Sequence, residues 1–207
     1  NLGFTEATVA LHYVFDTPTD KLVFDVSHQT YPHKILTGRA HGFLDDADTR
    51  AISGYSSPSE SPEYDNFEVG HTSTAISLAT GLQKGRDVLG GTENIVAIVG
   101  DGSLSGGEAF EGLNTAAALG TNIIIVVNDN EMSIAENHGG LYASLKALRE
   151  SNGTSENNLF RAMGLDYRYE AAGNDIGALI RALNVVKDVD HPLVLHINTL
   201  KGKGYEP

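Results

Sequence analysis

Hydrophobic positions along this chain fall into two alternating patterns. Residues 22–26, 95–99, 123–127 and 193–197 are short runs dominated by Val, Ile and Leu, and polar or glycine residues close each of them. Runs of this length read as strands buried in a sheet, and residues 167–170 add a more polar fifth. Between the runs the apolar spacing lengthens to that of helices. Residues 5–15 predict a helix with Glu6 in its first turn and a face of Val9, Ala10, Tyr13 and Val14. The small residues from Ala75 predict a helix that packs closely on its neighbours, and Phe110, Leu113 and Ala117 predict one that begins near Ser105. Shorter helices are expected at 141–149, 159–163 and 176–186. Residues 41–67, rich in Gly, Ser, Pro and acids, read as a long surface loop, and 137–156 as the most flexible stretch.

Strands and helices alternate without an internal repeat or a clear linker. That predicts one α/β domain over residues 1–207, three layers with a mostly parallel sheet between helices on both faces. Its centre is the stretch 95–136. There one strand stops at Gly100-Asp101-Gly102 and the next at Asn128-Asp129-Asn130. A right-handed crossover lays such strands parallel, so both turns emerge at the same carboxyl edge and Asp101 and Asn130 converge. A carboxylate, an amide oxygen and a nearby main-chain carbonyl are hard ligands of the kind Mg2+ takes. The helix expected near Ser105 adds N–H groups and a positive dipole end, which favour an anion, and the combination suggests a bound diphosphate. A dinucleotide fingerprint fits less well. Glycines 100, 102 and 106 are spaced one residue too widely, and no acidic residue stands at a new strand end about 20 positions on.

Composition narrows the ligand classes. The 207 residues are 41% hydrophobic, enough for one well-buried core. A formal net charge of −13 argues against nucleic acid or an anionic membrane as partner, and no apolar run approaches the roughly 20 residues of a membrane helix. With this charge, an anionic ligand needs a divalent metal beside it to offset the repulsion. The absence of cysteine excludes disulfides and a thiol nucleophile, and suits a cytoplasmic location.

The segments LHYVFDTPTDKLVFDVSHQTYPHKILTGR, EYDNFEVGHTSTAIS, GDGSLSGGEAFEGLN, NDNEMSIAEN and LHINTLKGKGYEP together carry a resemblance. The chain resembles the N-terminal domain of the 1-deoxy-D-xylulose 5-phosphate synthase family, in the transketolase superfamily. Asn130 follows Asp101 at the spacing of that superfamily's thiamine-diphosphate motif. The resemblance implies that Asp101, Asn130 and the Met132 carbonyl hold Mg2+, with Gly100, Gly102 and Ser103 near the diphosphate. It also implies that His28, Gly70 and His71 line the cofactor pocket, the two histidines in catalytic roles, and that Lys201 stands near the diphosphate. The implied reaction joins pyruvate to glyceraldehyde 3-phosphate with loss of CO2, in a homodimer. A second domain or subunit would complete the site with the glutamate that activates the cofactor. The chain is therefore expected to be a fragment, or the ordered part, of a longer multidomain protein.

Three departures stand out against that family. Its glycine before His28 is Ser27, its Asp-Gly-His-Asp appears as Ala172-Gly173-Asn174-Asp175, and the stretch after the Asn-Asp-Asn motif is shorter. They leave two alternatives open: a transketolase-like N-terminal subunit or paralogue with another donor and acceptor, and a non-catalytic regulatory homologue. Each candidate also has a plainer reading, as turn chemistry for Asp101 and Asn130, hydrogen-bonded turns for His28 and His71, and solvated charge for Lys201. The flanking match favours the site. His12 and His196, inside regular elements, are read as structural, and His33, His41, His138 and His191 are set aside.

Overall fold

The structure, a computed structural model, describes residues 2–44, 51–133 and 136–206. Residues 45–50 of the expected surface loop and 134–135 of the NDNEMSIAEN segment lie outside the described residues. In chain order the elements are α1 (Thr5–Val14), β1 (Lys21–Phe24), α2 (Tyr31–Lys34), α3 (His41–Leu44), α4 (Ala75–Leu89), β2 (Ile95–Gly100), α5 (Asp101–Leu104), α6 (Gly107–Leu119) and β3 (Ile123–Asp129). They continue as α7 (Gly140–Glu150), α8 (Leu159–Ala162), β4 (Asp166–Glu170), α9 (Ile176–Val186) and β5 (Pro192–Asn198).

All four strand pairings are parallel, in the order β1-β2-β3-β5-β4. β2 and β3 lie at the inside of the sheet, and their apolar runs are buried on both faces. Alternate residues feed two cores. Val23, Ala97, Val99, Ile125 and Val127 pack with α4, α6, α7 and α8, whereas Leu22, Val96, Ile98, Ile124 and Leu195 pack with α1 and α9. The result is the expected three-layer α/β fold, with the sheet wholly parallel rather than mostly so.

Four local expectations change. The helix predicted near Ser105 is two helices, because β2 runs straight into the single turn α5 and the chain re-extends at Gly106 before α6 starts. The buried face of α6 is Ala109, Gly112, Leu113 and Ala116, not Phe110 and Ala117, since small residues admit the close approach of α4. On α1 the buried face likewise comprises Ala7, Thr8, Ala10, Leu11 and Val14, and Tyr13 points to solvent at 75% exposure. The helix expected at 141–149 forms as α7, with Leu145 and Leu148 in the core, whereas the 41–67 segment, expected as a surface loop, buries Ser56, Ser57 and Asp65. Their polar anchors replace the apolar period that a sequence pattern detects.

Candidate functional site

β1, β2, β3 and β5 all finish at one edge of the sheet, where Gly100 stands opposite Asn128 and Asp129 opposite Asn198. Backbone strain gathers there. Six non-glycine residues among those described have positive φ, and Val26, Ser27, Ser73 and Glu131 are four of them. Val26 and Ser27 lead into His28, Ser73 follows His71 by two positions, and Glu131 separates Asn130 from Met132. Such conformations cost energy and persist where surrounding contacts over-determine them, a pattern common at binding and catalytic sites.

Asp101 begins α5 and is buried at 2% exposure. Its carboxyl accepts from the Asn137 amide at 2.7 Å, a neutral donor. Burial first, and then the negative charge of nearby Asp129, push its pKa up. A buried carboxylate so placed favours a cation beside it. The turn after β3 supplies Asn130, whose Oδ1 accepts from the Met132 N–H at 3.2 Å, while Met132 itself is 38% exposed. Gly102 abuts the Ser133 side chain, and a Cβ there would collide with it. No hydrogen bond joins Asp101 directly to Asn130 among the described residues. Asn137 connects them indirectly, because it accepts from Ser133 Oγ at 2.6 Å, in the turn that follows Asn130.

His28 is exposed at the end of the β1 turn. Partial burial lowers its pKa, and the nearby Lys201 charge adds to the effect. Lys201 also donates to the Ser133 carbonyl, so it touches the turn that carries Asn130 and Met132. His71 is exposed, with its Nδ1 2.7 Å from the Thr72 carbonyl oxygen. Nothing lies within 4 Å of a Cβ built on Gly70 or Gly100, which leaves open space beside both. Ser103 accepts at its carbonyl from Ser73 Oγ at 2.7 Å, tying α5 to the start of α4.

Several supporting residues escaped the sequence reading. Asp25, buried at the end of β1, accepts from the Ser73 and Ala75 N–H groups, each at 2.9 Å, and so caps α4 from a distant strand. Asp129 is fully buried; its Oδ2 accepts from His196 Nε2 at 2.9 Å and from Arg149 of α7, and Tyr167 OH lies 2.8 Å from His196 Nδ1. These contacts hold Asp129 well below the usual carboxylate range despite its burial, with the His196 hydrogen bond the largest lowering influence. Asn174, at the departure from the resembled family, accepts from the Leu200 N–H at 2.7 Å and donates to the Gly3 carbonyl at 3.1 Å. It fixes the turn that presents Lys201. Asp25 and Asp129 carried a usable signal, an acid at the end of an apolar strand; Asn174 and Arg149 carried none.

A cavity of about 270 Å³ opens between this edge and α7, lined by Asp101, Asp129, Asn137, Tyr142 and Arg149 among others. Of the residues expected at the site, Asp101 alone lines it; His28, His71 and Lys201 stand outside its wall. Among the described residues, no group of three or more His, Cys, Asp or Glu side chains is arranged to hold a metal. The expected set has one carboxylate with two neutral oxygens, a different kind of group. No helix among the described residues is long and apolar enough to cross a membrane.

An open, wholly parallel α/β sheet with strained, polar turns gathered at its carboxyl edge defines the class of this protein. The family model described as 1-deoxy-D-xylulose-5-phosphate synthase matches residues 1–158. The chain is similar to the 1-deoxy-D-xylulose-5-phosphate synthase of Porphyromonas gingivalis, at 42% identity, and to that of Cellvibrio japonicus, at 41%. It is 40% identical to 1-deoxy-D-xylulose-5-phosphate synthase 1 of Geobacter sulfurreducens. Each match covers 100% of this chain and 37–38% of the relative. The chain belongs to the 1-deoxy-D-xylulose-5-phosphate synthase family. It spans little more than a third of the length of these relatives, and the Porphyromonas match runs over 244 positions against 207 in this chain.

Proposed function

We propose that residues 1–207 form the thiamine-diphosphate-binding domain of a transferase that joins pyruvate to glyceraldehyde 3-phosphate, giving 1-deoxy-D-xylulose 5-phosphate and CO2. The observation that carries this reading is Asp101: a buried carboxylate, bonded to a neutral amide, at the strand edge it shares with the Asn130 turn. Its raised pKa fits a site completed by a cation. Asp101, the Asn130 amide oxygen and the Met132 carbonyl would hold Mg2+, a hard-donor set matched to that ion. Open space lies beside Gly100, where the diphosphate would sit with Gly102 and Ser103 near it, and Lys201 brings an ammonium to the turn that carries Asn130.

When bound, the cofactor supplies the electron sink for decarboxylation, while the protein supplies placement and electrostatics. His28 and Gly70-His71 form the wall toward the cofactor. Partial burial lowers the pKa of the His28 imidazole, which favours its neutral form, the one that can accept a proton. Asn174 keeps Lys201 at the anion end through the Leu200 N–H. The glutamate expected to activate the cofactor belongs to a second domain or subunit, and the active assembly is a cytoplasmic homodimer.

The direct test titrates thiamine diphosphate, with and without Mg2+, into the full-length protein and its Asp101→Ala variant. Wild type is expected to bind only with Mg2+, and the variant at least about a hundredfold more weakly, the loss of a charged ligand worth roughly 3 kcal/mol. Equal binding by the two proteins would sink the metal assignment.

A further inference from the structure

The turn that ends β1 does more than present His28. Val26 and Ser27 both have positive φ, 53° and 67°, a region that side-chain-bearing residues enter at a cost, and Ser27 is fully buried. Glycine would adopt this backbone freely. The serine hydroxyl gives the reason for accepting the cost. Ser27 Oγ donates to the Val69 carbonyl at 2.8 Å and accepts from the Ser56 N–H at 2.7 Å. Two residues earlier in the same turn, the Asp25 carboxylate takes the Ser73 and Ala75 N–H groups. Residues 70–72 are therefore gripped on both sides, at Val69 and at Ser73–Ala75, by the turn whose next residue is His28. Between the grips the segment is exposed. The hydrogen bonds of His71 itself run to its own neighbours, from Nδ1 to the Thr72 carbonyl and from Thr74 Oγ1 to its carbonyl.

We propose that Ser27 is a positioning residue whose hydroxyl locks the His28 and His71 segments into one arrangement, so that the pocket wall is formed before any ligand arrives. The consequence for binding rests on the cofactor reading above; the lock itself does not. A hydroxyl that bonds to both 56 and 69 also fastens the long segment between them, which holds Asp65 and leads into Gly70. Strain is tolerated at this residue because removing the side chain would leave a buried N–H and a buried carbonyl without partners.

The test uses the full-length protein as wild type, Ser27→Gly, Ser27→Ala and Asp101→Ala, with two measurements: hydrogen exchange by mass spectrometry and calorimetric titration of thiamine diphosphate with Mg2+. In both Ser27 variants the amides of 69–75 are expected to exchange about tenfold faster, with those of β2 and β3 unchanged. The same variants should bind the cofactor about tenfold more weakly. Glycine relieves the backbone and alanine retains the strain, so a shared defect points to the hydroxyl. Unchanged exchange at 69–75 in Ser27→Gly overturns the proposal. So does a defect confined to Ser27→Ala, faster exchange with full affinity, or a rise in exchange that extends equally to β2 and β3. If Asp101→Ala binds like wild type, the cofactor reading fails, and the exchange data still decide whether the lock exists.

Discussion

At the scale of single residues, a buried chain of hydrogen bonds has one consistent assignment when its two imidazoles are neutral, the form that burial favours for both. Asp65 is held well below the usual carboxylate range; the His33 and Arg39 hydrogen bonds are the largest influences opposing its burial. It therefore accepts from His33 Nε2, at 3.0 Å. His33 Nδ1 must then accept from His12 Nε2 at 2.9 Å, and His12 Nδ1 accepts from the Thr17 hydroxyl at 3.2 Å. Burial first, and then the Arg39 and Lys34 charges, lower the His33 pKa and favour this neutral arrangement, with Arg39 bonded to Asp65 and Lys34 to Glu60. Burial, and then His33, lower the His12 pKa to about 4. Between that value and the unfolded value of 6.5 the unfolded chain binds more protons, so stability rises with pH through this window and falls on acidification. Thermal unfolding from pH 7 to pH 4.5 should show that fall, and His12→Gln should make it shallower. An equal slope in the variant would remove His12 from the account.

At the scale of elements, close approach and bridging ion pairs decide the packing. α4 lies against α6 at Gly112, where an added Cβ would meet Ile76 Cγ2 at 2.8 Å and the Ser77 nitrogen at 2.9 Å. Because one neighbour is backbone, Gly112→Ala is expected to destabilise by about 1–3 kcal/mol through overpacking, despite alanine's better helix propensity. Denaturant titration checks this, and a gain in stability would contradict it. α7 is joined to the sheet by Arg149, which bonds to Asp129 and, at 3.0 Å, to Glu131. Arg149→Met removes the guanidinium from the fully buried Asp129 and leaves it the His196 Nε2 hydrogen bond, at a cost of roughly 2–4 kcal/mol. The same measurement applies. The helix at 141–149 could be foreseen from its apolar spacing, but the Arg149 bridge crosses 20 positions and follows no period.

At the scale of the whole molecule, the proposed function makes this domain one part of an active site completed elsewhere. The chain accounts for 37–38% of the length of the relatives it matches, so the test of the proposed reaction belongs to the full-length protein. Full-length protein is expected to consume pyruvate only when glyceraldehyde 3-phosphate or a similar acceptor is present, as followed by release of CO2. Robust turnover of a ketose phosphate donor instead would favour the transketolase-like alternative.

By itself the sequence determined the layered architecture. Apolar runs of strand length, alternating with helical spacing, admit little besides a parallel sheet covered on both faces, because each β2 and β3 residue must be buried on one side or the other. Strand ends followed from the turn residues after them, which is why Asp101 and Asn130 could be put at one edge. Only the tertiary structure decided how that edge is built. Asp25 caps α4 across 48 and 50 positions, Ser27 reaches Ser56 and Val69 across 29 and 42, and His196 reaches Asp129 across 67. Polar pairings of this kind depend on which chain ends the fold brings together in space, and hydrogen bonds between distant residues leave no periodicity in the chain to read.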